Sequence, residues 1–174
     1  MFIDLETDRL ILKLISAEDR DFIFSQFSND VVNRYLFDAE PLIDLNDADE
    51  IINFYIQPEP REQNRWILIR KSDKRKIGTC GFHCWNKEKG MVDVGYDLKE
   101  SYWGQGYMQE AMRTIISFAS EKMNISRINA CISVDNQKSI LFVEKSGFLY
   151  HGQMKDEIFR GHKYPHKIYS LDLR

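Results

Sequence analysis

The chain has 174 residues, 43% of them hydrophobic and 29% charged, enough for one globular domain with its own core. A net charge of −3 and a pI of about 5.8 argue against a generally basic nucleic-acid-binding surface. No apolar run approaches the length of a membrane span, and the first six residues carry no basic leader, so a cytoplasmic protein without a signal peptide is expected.

Thr7–Leu14 alternates apolar and polar side chains and reads as the first strand. Ser16 caps a helix with Glu18 and Asp19 in its first turn. Phe22, Ile23, Phe24 and Phe27 form its apolar surface, and Asn29-Asp30 ends it. A short second helix is expected over Val31–Phe37. A third runs from Asn46 to about Ile56 and is stopped by Pro58 and Pro60. Residues 15–60 thus form a helical insert rich in aromatic rings, Tyr35, Phe37, Phe54 and Tyr55, most of which are expected to pack on a sheet.

Arg65–Arg70 and Lys76–Phe82 read as a hairpin across Ser72-Asp73-Lys74-Arg75, and Lys87-Glu88-Lys89-Gly90 turns into a further strand. Three cysteines, Cys80, Cys84 and Cys131, fit free thiols in a reducing compartment. In an unbroken strand Cys80 and Cys84 share one face while His83 points away. No second ligand pair follows at zinc spacing, so no metal is expected.

Val92, Val94, Tyr96 and Leu98 alternate with Asp93, Gly95 and Asp97 as in a strand. After a polar connector, Trp103-Gly104-Gln105-Gly106-Tyr107-Met108 runs into a helical pattern with Met108, Ala111, Met112, Ile115 and Ala119 on one face. A glycine turn at that junction leaves backbone N–H groups facing outward at the positive end of a helix, a site for phosphate or pyrophosphate. Gln109 stands where the dinucleotide fingerprint needs glycine, and no Gly-Lys-Ser/Thr follows. Arg127–Val134 is a strand with helices on both sides, hence parallel to the Met91 strand by a crossover. Asn136 and Ser139 open a helix that runs from Ile140 to Lys145 and stops at Gly147. Leu149–Ile158 and Lys163–Leu173 close the chain as an antiparallel pair.

Gly95-Tyr96-Asp97-Leu98, Tyr102-Trp103-Gly104-Gln105-Gly106-Tyr107-Met108 and Glu110-Ala111 resemble the coenzyme A loop of the GNAT superfamily of acetyl-CoA-dependent N-acetyltransferases. The closer likeness is to the branch containing the ribosomal-protein N-terminal acetyltransferases. Thr7-Asp8-Arg9-Leu10, Asn136-Gln137-Lys138-Ser139 and Lys145-Ser146-Gly147-Phe148 resemble the same family, in the same order. The resemblance implies an α/β, single-domain acyl-CoA N-acyltransferase fold over residues 1–174. Its sheet is mixed, mostly antiparallel and seven-stranded, with flanking helices and two splayed central strands that admit the pantetheine arm. Gly95 suits a bulge or close approach there.

Acetyl-CoA is the implied co-substrate, with no metal, held by residues 91–148. The implied contacts are Tyr96, Asp97, Leu98, Trp103, Gly104, Gln105, Gly106, Tyr107, Met108, Asn136, Ser139, Phe142 and Lys145. The helical insert would wall the acceptor side. The acceptor is a primary amine, either a protein N-terminal α-amine or a small molecule. Neither direct nucleic-acid contact nor a membrane is expected, and a homodimer is allowed. Direct attack needs a base, Asp93 or Glu157, acting on the amine itself or through water. Val143 stands where many members carry an acidic Tyr, so Ser139 is the group implied to assist the thiolate. The rival from another class is a coenzyme A-binding sensor without catalysis.

Overall fold

Period-two alternation at both ends of the chain builds one sheet, and the 3.6-residue patterns supply the helices that cover it. The computed structural model describes residues 2–173, so the two terminal residues of the expected domain lie outside the described residues. In chain order the elements are β1 (Leu5–Glu6), β2 (Leu10–Leu14), α1 (Arg20–Phe27), α2 (Asp30–Asn33) and α3 (Leu45–Tyr55). Next come β3 (Asn64–Arg70), β4 (Lys76–Asn86), β5 (Met91–Leu98) and α4 (Tyr107–Lys122). The chain ends with β6 (Arg127–Ser133), α5 (Gln137–Lys145), β7 (Leu149–Phe159) and β8 (His162–Asp172). The sheet order is β1-β2-β3-β4-β5-β6-β8-β7, and only β5–β6 is parallel.

The sheet is mixed and mostly antiparallel, as expected, but has eight strands where seven were expected. The eighth is the two-residue β1, which precedes the expected Thr7–Leu14 strand, and that strand itself starts only at Leu10 because Thr7 turns the chain. Its N–H bonds the Leu10 carbonyl at 2.9 Å, and its hydroxyl accepts the Leu10 N–H at 2.9 Å. The expected helix over Val31–Phe37 is only the single turn α2. The Asn33 side-chain amide bonds the Phe27 carbonyl at 2.6 Å and the Asn29 carbonyl at 3.0 Å, local competition of the kind that favours turns over helix. The start of α3 comes one residue earlier than expected. Asp44 caps it, and Asp47 returns a bond to the Asp44 N–H.

Two cores form on opposite faces of the sheet. Against α4 lie Leu10, Leu12, Trp66, Leu68, Cys80, Phe82, Val92 and Val94, packed with Met108, Ala111, Met112, Ile115, Phe118 and Ala119. The other face carries the insert, with Ile67 against Phe22, Ile23, Ala48 and Ile52. Between insert and sheet lies an ion pair, Arg65 with Asp97 at 3.3 Å, whose side chains are 15% and 8% exposed. Asp97 also accepts bonds from the Thr79 hydroxyl and, at 2.7 Å, from the Gln26 amide. The Arg65 guanidinium donates to the Tyr55 hydroxyl at 2.8 Å. Burial alone would depress the Arg65 pKa, but Tyr55 and Asp97 raise it, so the guanidinium stays charged. Removing one partner leaves the other charge buried and unpaired. Asp97→Ala is therefore expected to lose about 3–5 kcal/mol of stability in urea unfolding, against a much smaller loss for an exposed pair such as Lys13–Glu18.

Candidate active site

The parallel pair β5–β6 is joined only at Met91–Arg127, Val92–Ile128 and Asp93–Asn129. Past that row the two strands no longer pair, although β5 stays bonded to β4 through Leu98 and β6 to β8 through Ser133. The centre of the sheet thus opens into a V. The exposure of Cys131, a residue on a central strand, marks this opening. Gly95 is not a bulge: it pairs in register with Gly81, and a Cβ there would meet only the His83 ring, at 3.5 Å.

At the far end of the V lies the glycine turn. Gly104 has φ +70 and Gly106, the N-cap of α4, has φ +80, conformations that side chains strain to adopt. A Cβ at Gly104 would meet nothing within 4 Å, so the turn is open to a ligand. Among the described residues, no protein group accepts a hydrogen bond from the amides of Gly104, Gln105, Gly106, Tyr107 or Met108. Unpaired donors converging at a helix N-terminus fit a diphosphate. Trp103 bonds the Leu98 carbonyl through Nε1 at 2.8 Å and lies under Lys138, whose Nζ is 4.3 Å from the ring. Gln105 bonds back to the Ser101 carbonyl at 2.9 Å. Met108 and Tyr107 are buried, and their side chains pack in the core.

The N-terminal Thr-Asp-Arg-Leu segment braces this turn, a role that sequence reading missed. Arg9 donates to the Gln105 carbonyl at 2.9 Å and to Glu110 at 2.7 Å, and its guanidinium lies 4.4 Å from the Tyr107 ring centroid. Glu110 also accepts the Thr7 hydroxyl and, at 2.8 Å, the Arg9 N–H. Burial pushes the Glu110 pKa up, but the Thr7 and Arg9 bonds more than reverse this and hold it below the usual value. Its stabilising contribution is therefore present above about pH 4.5 and is lost as pH falls through the lowered folded-state pKa. The signal in the sequence was an acid in the first turn of the helix after the glycine turn and a basic residue in the first strand segment. Arg9→Ala is expected to weaken coenzyme A binding roughly tenfold, through loss of a charge-assisted brace worth about 1.5 kcal/mol, with the melting temperature lowered by about a few degrees.

Along the V, Tyr96 points toward α5. Its hydroxyl shares a hydrogen bond of 2.6 Å with Ser139 Oγ, and its ring meets Phe142 edge-on at 4.9 Å. Burial raises the Tyr96 pKa and the Ser139 bond only partly offsets this, so the phenol stays protonated. Asn136 caps α5 by accepting the Ser139 N–H at 3.3 Å. Lys145 is exposed at the other end of that helix. Val143, at the position of the missing Tyr acid, is fully buried. Asp97 faces away into the Arg65 network, so only its main chain borders the V.

On the insert face, Asp93 sits at the apex of the V. Asn129 donates to its Oδ1 at 3.2 Å, and Ser170 donates to Asn129 Oδ1 at 2.9 Å. This chain of polar groups fixes the carboxylate across three strands. Glu157, on β7, is engaged by Lys155 at 2.6 Å. The insert reaches the same region. Phe37 stacks on Tyr164 at 3.8 Å, with planes 7° apart, and Glu40 pairs with Arg160. Tyr55 holds Arg65, whereas Phe54 stays 54% exposed. His166 is buried and bonds the Tyr164 carbonyl at 2.7 Å.

A sheet that parts beside a helix-capping glycine turn, with a carboxylate at its apex, defines an acyl-CoA N-acyltransferase fold. The chain belongs to the GNAT acetyltransferases: the model of the acetyltransferase (GNAT) domain matches residues 9–149. It is an N-acetyltransferase of that family. It is 32% identical to the uncharacterized N-acetyltransferase YoaA of Bacillus subtilis (strain 168), over 98% of this chain and 97% of that protein. It is 28% identical to a putative ribosomal N-acetyltransferase, YdaF, of the same organism, over 50% of this chain and 48% of that protein. The fold superposes on the crystal structure of spermidine N-acetyltransferase from Vibrio cholerae in complex with CoA and spermine. That likeness has a TM-score of 0.82 at 19% identity and covers 94% of this chain and 95% of that one, so it is one of fold alone.

Proposed function

We propose that this enzyme moves acetyl from acetyl-CoA to a primary amine by direct attack. The observation that carries the reading is the opening of β5 from β6 beyond Asp93–Asn129, with the unpaired amides of Gly104–Met108 at its far end. Those amides would hold the diphosphate. Tyr96, Leu98, Trp103, Gln105, Asn136, Phe142 and Lys145 border the path that the pantetheine and nucleotide would take, and Asp97 offers its main chain.

The nitrogen attacks the thioester carbon, and its proton passes to Asp93, directly or through one water. The carbon–sulfur bond then breaks with its electron pair on sulfur. Ser139, held by Tyr96, offers a hydrogen bond to the leaving thiolate. Asp93 is preferred over Glu157 because Asn129 orients it at the apex, while Lys155 already pairs with Glu157.

For the acceptor, a protein N-terminal α-amine follows from the likeness to the ribosomal branch. A small polycationic amine is the second reading. The carboxylates of Asp38, Asp93 and Glu157 on the insert side favour it, as does the fold shared with a spermidine enzyme. The test is release of free thiol from acetyl-CoA across a panel of N-terminal peptides and polyamines. Acceptor-dependent release is expected. Tight coenzyme A binding with no release for any amine would favour a sensor and overturn the catalytic reading.

A further inference from the structure

The face of β4 that the sequence assigned to Cys80 and Cys84 together is not shared in the structure. Cys80 is buried in the α4-side core, whereas Cys84 is exposed. The cause is a bulge. Pairing of β4 with β5 is regular as far as His83–Asp93 and resumes only at Asn86–Met91, and Cys84 takes φ +54 inside the irregularity. An unbroken strand would send His83 and Cys84 to opposite faces. The bulge instead turns the Cys84 thiol toward the insert face.

Three donors of different chemistry converge there. The imidazole of His83, the thiol of Cys84 and the carboxylate of Asp93 each place a ligand atom within 4.8 Å of the other two. Two of the three are held by neighbours. His83 pairs with Asp93 across the strands and lays its ring over Gly95, where an added Cβ would lie 3.5 Å from it. Asn129 engages Asp93 Oδ1 and leaves Oδ2 free of it. The third donor, Cys84, is exposed and can rotate. It also lines an open cavity of about 460 Å³ together with Glu62, Trp85, Asn86, Lys87 and Glu88, so solvent reaches this donor.

We propose that His83, Cys84 and Asp93 form a site for one divalent cation of borderline softness, with Zn²⁺ as the best match, and that its occupancy inhibits the enzyme. One nitrogen, one sulfur and one oxygen donor suit zinc better than the hard Mg²⁺ or Ca²⁺, which take oxygen sets. Zinc bonds of about 2.0–2.3 Å require the donors to close by roughly 1 Å, to which rotation of the exposed Cys84 would contribute. The fourth position is left to water. The inhibitory half rests on the proposed role of Asp93, because a carboxylate that ligates a cation cannot take a proton from an amine.

The test uses the metal-free full-length protein, without coenzyme A or acceptor. Co²⁺ titration should give a near-ultraviolet thiolate-to-cobalt charge-transfer band with one-to-one stoichiometry, and Zn²⁺ should abolish it. Cys84→Ala and Cys84→Gly should both lose the band. Both should weaken Zn²⁺ binding by more than the roughly 10–100-fold that losing even an outer partner of a metal ligand costs. The glycine variant suits the positive φ and so guards against misfolding. Cys131→Ala, the other exposed thiol, should keep the band. No band, or a band kept in the Cys84 variants and lost in Cys131→Ala, overturns the site.

Zinc inhibition of thiol release should follow the same midpoint as binding and be relieved in Cys84→Gly at unchanged basal rate. Binding without inhibition overturns the regulatory half. Because binding is read without substrates, failure of the acetyltransferase reading would leave that result standing.

Discussion

Gly106→Asp is expected to abolish useful coenzyme A binding while leaving the fold intact. The residue caps α4 at φ +80, which costs a non-glycine residue about 1–2 kcal/mol. Any Cβ also comes within 3.3 Å of Arg9 Nη2, so the brace on the Gln105 carbonyl must shift. The added carboxylate then faces the diphosphate and competes for Arg9. Together these effects should weaken affinity at least about 100-fold, roughly 2.7 kcal/mol, in a calorimetric titration. Gly104→Ala separates strain from charge. Its Cβ meets nothing within 4 Å, so only the backbone cost at φ +70 remains and the loss should be smaller. Wild-type affinity in Gly106→Asp, at an unchanged melting temperature, would place the nucleotide elsewhere.

Asp93→Asn should lower kcat by about 10²–10⁴-fold with coenzyme A affinity unchanged, the signature of a lost base rather than lost binding. The change is isosteric, and Asn129 can still bond the new amide oxygen, so the apex keeps its shape. Glu157→Gln should cost much less, since its partner Lys155 already occupies it. Equal losses in the two variants, or a Glu157 effect larger than that of Asp93, would reassign the proton acceptor.

Much of this architecture is legible in the residues because local chemistry and global topology agree. The alternation in β3, β4 and β5, the glycine turn and the asparagine cap of α5 are all local signals. They placed the strand-turn-helix unit and the parallel crossover where the structure has them. The misses have separate causes. The first expected strand starts late, at Leu10, where Glu110, about a hundred positions away, accepts bonds from the Thr7 hydroxyl and the Arg9 guanidinium. Helix α2 stops early because of the bonds made by Asn33, and Phe37 is drawn onto Tyr164. Cys84 leaves its expected face because one extra residue sits in β4, and a bulge has no period to betray it. Asp97 sits within the stretch that resembles a cofactor motif, yet its side chain serves the Arg65 network. Motif membership located the segment but not which face of the strand each residue uses.

The stack of Phe37 on Tyr164, with Glu40 clasping Arg160 nearby, welds a segment from the early chain to the final hairpin. Neither half can drift alone without exposing the other's ring. On the proposed reading, in which the insert walls the acceptor side, a change of acceptor would act on both segments in concert. Grafting only one of the two segments from a relative should yield orphaned aromatics and a poorly formed pocket. Exchanging the pair together should keep both rings covered.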